Sequence, residues 1–208
     1  MKIMFEPGAV EKRQVRDFWN EAACGEDLYL RSHDRAGFLA HAKRRYELEP
    51  YILDFARFDS WRGKKVLEIG VGLGADHQRF AQAGADLYGL DLTERAVSFT
   101  RQRLELFDLT SCLQVGDAEN LEFGEGVFDL VYSWGVLHHS PDTKRAVDEV
   151  WRVLKFGGAA RIMIYNKYSL VGLMLWVRYG LLRFRPFTRL STIYANCLES
   201  PGTKAYSR

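Results

Sequence analysis

The sequence is short of several things, and each shortage excludes a class of protein. Cysteine occurs three times in 208 residues, at Cys24, Cys112 and Cys197. The number is odd, the positions are scattered and no Cys-x-x-Cys spacing occurs, so neither a disulfide framework nor a zinc site is indicated. That usage suits a reducing, cytoplasmic compartment. No uninterrupted apolar run reaches the length of a membrane span. The opening Met1-Lys2-Ile3-Met4-Phe5-Glu6-Pro7 is too short and interrupted to read as a secretory leader. Internal repeats and low-complexity segments are missing too. The net charge is only +2, so the bulk composition does not point to a nucleic-acid partner.

What is present suits a globular domain: 47% hydrophobic and 27% charged residues, in a chain long enough for one large domain or one domain with an appendage. The charge is uneven. Residues 1–166 hold 22 Lys/Arg against 26 Asp/Glu, whereas 167–208 hold 7 against 1.

One stretch organises the chain: Lys65-Val66-Leu67-Glu68-Ile69-Gly70-Val71-Gly72-Leu73-Gly74-Ala75-Asp76. A short apolar run the size of a buried strand ends in glycines at alternate positions, and a helical segment follows. A strand, a glycine turn and a helix make a nucleotide-cofactor site. Gly70, Gly72 and Gly74 read G-x-G-x-G rather than the dinucleotide spacing G-x-G-x-x-G. Glu68, just before the turn, would repel a pyrophosphate and suits a cationic ligand.

Helices are predicted over 10–23, with Val15, Phe18, Trp19 and Ala22 on one face, and over 35–48, ended by Pro50. Tyr51, Ile52, Phe55 and Phe58 form a further stripe. These helices either pack on the sheet or cap the site. For Arg44, Arg45 and Tyr46 a solvated charged face is favoured over projection into the site. Strands then alternate with helices: 66–70, 86–91, 112–116, 127–133 and 159–165, with Gly84 as a C-cap and Thr93 as an N-cap. Pro141-Asp142 opens a helix with Ala146, Val147, Val150, Trp151 and Leu154 inward, closed by Gly157-Gly158. This pattern implies a doubly wound α/β sheet of at least five parallel strands with right-handed crossovers. The chain divides into an N-terminal helical cap (1–60), a core (61–166) and an apolar-basic C-terminal segment (167–208).

Ligands bind outside the carboxyl ends of such strands. Asp91, ending the second strand beside Leu92, suits the two hydroxyls of a ribose, with a helix N-cap as its bland alternative. Gly116-Asp117-Ala118-Glu119, after the third, suits an adenine: a carboxylate for the exocyclic amine and a small residue for the ring. A capped turn is the alternative. After the fourth come Ser133-Trp134-Gly135-Val136-Leu137-His138-His139. Adjacent histidines share no face on a strand or helix, so no metal site is expected. Either histidine suits a general base or a structural role in the pocket wall.

With these residues assembled, the chain resembles class I S-adenosylmethionine-dependent methyltransferases over roughly 64–166. Val66–Gly74, Tyr88–Leu92, Gly116–Glu119, Phe128–His139 and Leu154-Lys155-Phe156-Gly157-Gly158 look like successive motifs of that family, with Phe156 where proline is usual. Within it the chain is most similar to the branch of ubiquinone, menaquinone and natural-product methyltransferases. The resemblance implies a Rossmann-like core that binds S-adenosylmethionine, releases S-adenosylhomocysteine and aligns a small, lipophilic acceptor with the sulfonium methyl. It implies cofactor contacts from Glu68, Gly70, Gly72, Gly74, Asp91, Leu92, Asp117, Ala118, Glu119 and Ser133, and a base at His138 or His139 for a neutral acceptor.

The end of the chain departs from that pattern. The usual antiparallel last pair of strands is not visible in 167–208, and Ser200–Arg208 resembles the lead-in to the family's next helix. The expectation is a chain short of those strands. Lys167–Phe187 reads as a helical insertion. It suits a lid over an apolar substrate, packing for the absent strands, or a helix resting on a membrane surface through 168–185. Three functions compete: a methyltransferase, an aminopropyl transferase or nicotinamide oxidoreductase on the same fold, and a non-catalytic cofactor-binding protein. The glycine spacing disfavours the oxidoreductase. An aminopropyl transferase should show paired acids where this chain has Ser133, Trp134, His138 and His139.

Overall fold

The computed structural model describes residues 9–23, 25–166, 169–190 and 193. Five strands, β1 (Lys65–Ile69), β2 (Asp86–Asp91), β3 (Cys112–Val115), β4 (Phe128–Trp134) and β5 (Leu154–Met163), form one parallel sheet. Their order is β3-β2-β1-β4-β5. The order reverses between β1 and β4, which places the ligand crevice of an open α/β sheet above those two strands. Helices α1 (Ala9–Glu21), α2 (Glu26–Tyr29), α3 (Arg35–Leu48) and α4 (Tyr51–Ala56) precede the sheet. Helices α5 (Ala75–Ala83), α6 (Glu94–Leu106) and α7 (Thr143–Val153) are its crossovers, and α8 (Leu170–Tyr179) follows it.

Strand alternation builds two cores. On β1 and β4, Leu67, Ile69, Phe128 and Val131 face α7, joined by Ala146, Val150 and Val153. Val66, Leu130 and Tyr132 face the other way, against Ile52, Phe80 and Ala83. A third cluster, with Leu30, Phe38, Leu73, Phe99 and Phe107, fastens the early helices to α6. The caps are those the sequence predicts: Thr93 accepts from the Ala96 N–H, and Gly84 ends α5 at φ 84°.

Two expectations are corrected at the end of the sheet. α7 runs directly into β5 at Leu154 rather than closing at Gly157-Gly158. Leu154 pairs with Phe128 and Ala159 with Leu130, so β5 bulges outward between them. The bulge carries Phe156 fully into solvent. On α7 only the narrow row Ala146, Val150 and Val153 is buried; Val147 is 43% and Trp151 80% exposed. No described element covers that flank. The helical reading of Lys167–Phe187 holds for its described part, α8 and a short 3-10 turn over Leu181–Arg183. Leu170, Met174, Leu182, Phe184 and Phe187 are exposed there. No strand follows β5 among the described residues, and none of their helices is long and apolar enough to cross a membrane. Cys112 is an exposed free thiol, while Cys24, Cys197 and Ser200–Arg208 lie outside the described residues.

Candidate cofactor site

The carboxyl ends of β1, β2, β3 and β4 open on one cavity, lined on the strand side by Glu68, the Gly70–Gly74 turn, Asp91, Leu92, Asp117 and Ala118. Gly70, Gly72 and Gly74 all have positive φ (83°, 51° and 73°), a conformation that disfavours any side chain. A Cβ on Gly72 would meet nothing within 4 Å, so bare backbone faces the cavity. α1 covers the opposite side with Lys12, Val15 and Trp19.

Each acidic residue has defined partners. Asp91 accepts from the Gly72 N–H at 3.2 Å, the Thr93 N–H at 3.0 Å and the Thr93 hydroxyl at 2.8 Å. Burial raises its carboxyl, and these donors oppose the rise. Thr93, not Asp91, caps the helix, which leaves Asp91 to the cavity. Asp117 accepts from Lys12 at 2.5 Å and from the Glu119 N–H at 2.9 Å. Glu68 is buried, with Oε2 2.8 Å from His77 Nδ1.

Three expected contacts lie elsewhere. Ser133 is fully buried and donates to the Ile69 carbonyl at 3.0 Å, tying β4 to β1 behind the cavity wall. Glu119 is 5% exposed and does not line the cavity. It holds Lys12 at 2.6 Å, the Asp142 N–H at 2.9 Å and the Ser140 hydroxyl. His138 does not line the cavity. Its ring lies 4.1 Å from His139 and 4.6 Å from Tyr165, centroid to centroid, and neither buried nitrogen has a hydrogen-bond partner among the described residues. Burial, then the neighbouring His139, pushes it down to about 3, too weak for a base near neutrality. His139 does line the cavity, edge-on to Trp19 at 5.6 Å.

Several residues escaped the sequence reading. Asp76, in the first turn of α5, accepts four hydrogen bonds: two from Arg45 (3.1 and 2.7 Å) and one each from Tyr46 and Tyr132 (both 2.9 Å). Burial opposes its charge, and Arg45 with these donors outweighs burial and lowers its pKa. Arg45 and Tyr46 are therefore part of the site's frame and not a solvated face; only Arg44 is exposed, beside Glu47. Arg103 is fully buried and donates to Gln78 (2.8 Å), to the Leu73 carbonyl (2.6 Å) and to the Phe38 carbonyl. It pins the glycine turn, α3 and α5 together. Its place three residues after Thr100, on the inward stripe of α6, was the available signal. No cluster of metal-ligating residues occurs among the described residues.

Residues 67–162 match the family described as a methyltransferase domain. Over that span the chain is similar to a methyltransferase domain. Phosphoethanolamine N-methyltransferase 2 of Caenorhabditis elegans is 32% identical over 114 residues, 53% of this chain and 26% of that protein. The ubiquinone biosynthesis O-methyltransferase of Aromatoleum aromaticum is 33% identical over 126 residues, 59% of this chain and 53% of that protein. The chain thus spans about half, or less, of the length of these relatives. Magnesium protoporphyrin IX methyltransferase from Synechocystis, solved with S-adenosylmethionine bound, shares the fold. Its TM-score is 0.55 at 21% identity, over 74% of each chain. The matched span runs from β1 to β5 and contains the lining residues at the ends of β1, β2, β3 and β4, while Tyr165, just after β5, falls outside it. Lys12, Trp19 and Arg45 come from outside it.

Proposed function

We propose that the chain binds S-adenosylmethionine at the strand ends and directs its methyl group to a small, apolar acceptor. The observation that carries this reading is the convergence of the bare Gly72 backbone, Asp91, Asp117 and Ala118 on one cavity. The donor set fits the group. Asp91, oriented by Gly72 and Thr93, takes ribose hydroxyls; hydrogen bonds to a charged acceptor are worth about 1.5–3 kcal/mol. Asp117 already receives an ammonium N–H from Lys12, the kind of donor an exocyclic amine offers. Ala118 leaves room for a ring, and Glu68 faces the methionine end.

When bound, S-adenosylmethionine supplies an activated sulfonium methyl and leaves as S-adenosylhomocysteine. The protein's task is then alignment and exclusion of water, which contribute about 7–11 kcal/mol in well-oriented systems. α1 and α3 cover the cavity, and Trp19, Trp134, Val136 and Tyr165 give it an apolar wall suited to an apolar acceptor. His139 faces the same space and is the group placed to hold a proton from a hydroxyl or amine acceptor. The exposed apolar residues of α8, followed by Arg183 and Arg185, support contact with a membrane surface where such acceptors reside.

Calorimetric titration with S-adenosylmethionine, S-adenosylhomocysteine and NADH, on the native chain and on Asp91→Ala, tests the reading. Binding of the first two, weakened in the variant, supports it. Binding of NADH alone overturns it.

A further inference from the structure

Glu68 is the near end of a buried chain of hydrogen bonds. His77 Nδ1 lies 2.8 Å from Glu68 Oε2, and His77 Nε2 lies 2.8 Å from Ser111 Oγ. The Ser111 hydroxyl donates to the Leu87 carbonyl at 2.7 Å. His77 is fully buried and Glu68 4% exposed. β2 is notched for the ring: a Cβ on Gly89 would stand 2.6 Å from His77 Cε1.

The proton count follows from these contacts. A hydroxyl has one hydrogen. Ser111 spends its hydrogen on Leu87, so its oxygen must accept from His77 Nε2–H. Between Nδ1 and Glu68 at 2.8 Å, two lone pairs would repel. One proton must lie there, and the Glu68–His77 pair is uncharged as a unit. Burial assigns that proton. It raises the Glu68 carboxyl well above the usual range, helped by the charges of Asp76 and Asp91 against that of Arg45. Burial also pushes His77 down to about 3, against the pull of Asp76. Both directions favour the proton on the carboxyl over a buried ion pair. The other titratable groups around the pair are accounted for. Asp76 is matched by Arg45, with the Tyr46 and Tyr132 hydroxyls donating to it. Burial, then Arg103 and Arg45, holds His41 down to about 4.

A neutral ligand leaves this arrangement alone. A fixed positive charge about 5 Å from Glu68 changes its proton affinity on the order of a hundredfold at an effective dielectric constant of about 20. Resting on the cofactor reading above, we propose that His77 and Ser111 hold Glu68 uncharged in the free protein, and that Glu68 releases this proton to solvent when a sulfonium binds. The cavity then tells the cationic cofactor from its neutral thioether product by charge. The remaining proton of His77 moves to Nδ1 and donates to the new carboxylate, while the Ser111 hydroxyl turns to Nε2. His77 and Ser111 are positioning residues in this scheme and touch no ligand.

The test is calorimetry with S-adenosylmethionine and S-adenosylhomocysteine at pH 6, 7 and 8, in pairs of buffers with different ionisation enthalpies. The expected result is greater proton release for the sulfonium. The affinity ratio of the two ligands should rise with pH, by up to about tenfold per unit while the pair still holds its proton. Glu68→Gln should remove that part of the difference; the ligands' own ammonium groups contribute equally in the variant. Ser111→Ala, which strips Nε2–H of its acceptor, should shrink it and serves if Glu68→Gln fails to fold. Binding of both ligands with equal proton release in the native chain overturns the proposal and leaves the cofactor reading intact. Binding of neither overturns both.

Discussion

On the β1–β2–β3 side of the cavity the aspartates are held by donors that fix their direction. Asp76 has Arg45, Tyr46 and Tyr132, and Asp91 has Gly72 and Thr93. Arg103 pins the turn between them to two helices. The β4–β5 side is built otherwise. Its wall is Trp134, Val136 and Tyr165, the buried ring nitrogens of the half-buried His138 have no hydrogen-bond partner among the described residues, and its outer strand carries a bulge. One side is over-determined and polar, the other apolar and adaptable. Under the proposed function, the first kind of construction suits the cofactor and the second an apolar acceptor.

That contrast can be broken by substitution. The largest effect is expected at Asp76. Asp76→Ala removes the shared acceptor of two tyrosine hydroxyls and of the partly buried Arg45 guanidinium, which keeps only Glu49 at 3.5 Å, and should cost about 3 kcal/mol in urea denaturation. A loss below about 1 kcal/mol would remove the claim that this side is over-determined. Asp91→Ala should weaken S-adenosylmethionine binding about ten- to hundredfold by calorimetry, from the loss of charged hydrogen bonds worth about 1.5–3 kcal/mol.

Acidity probes the same frame. His41 and His77 are held at about 4 and about 3 in the folded chain, below the 6.5 of a free imidazole. The unfolded chain therefore binds more protons between these values. Their contribution is complete above pH 6.5 and is lost as pH falls toward 4 and then 3, by up to about 1.4 kcal/mol per unit for each histidine. Denaturation midpoints measured from pH 7.5 to 4.5 should show the decline, and His41→Asn should flatten part of it. The smallest effect belongs to the other side. His138→Phe replaces an unpartnered polar ring with an apolar one and should leave stability unchanged or raise it by about 1 kcal/mol. A large destabilisation there would mean that the β4–β5 side is as tightly specified as its counterpart.

Much of this architecture is legible in the sequence because the signals are local. The glycine turn, Asp91, Asp117 and Ala118 are marked by their position at strand ends, and they converge in the fold. What fails does so for identifiable reasons. Two steps on β4, Phe128 to Leu130, face five on β5, Leu154 to Ala159. An odd insertion reverses the in–out alternation, so the start of the strand could not be read from periodicity. Ser133 stands at a strand end, and nothing local says that its hydroxyl turns to a neighbouring carbonyl instead of the cavity. Lys12, Arg45 and Arg103 act on partners far along the chain, at separations of 105, 31 and 65 residues. Only the fold brings those charges together.

Lys12 ties α1 to the loop after β3 through Asp117 and Glu119, across the cavity that α1 covers. Its side chain is 27% exposed, so this clasp sits where mobile ions reach it. Debye screening shortens from about 10 Å at 0.1 M salt to about 3 Å at 1 M. Added salt should therefore weaken the hold of Lys12 on the loop after β3 more than it weakens the buried hub at Asp76. Because Asp117 belongs both to this clasp and to the cavity lining, salt acts on the closure of α1 and on the adenine end of the site together.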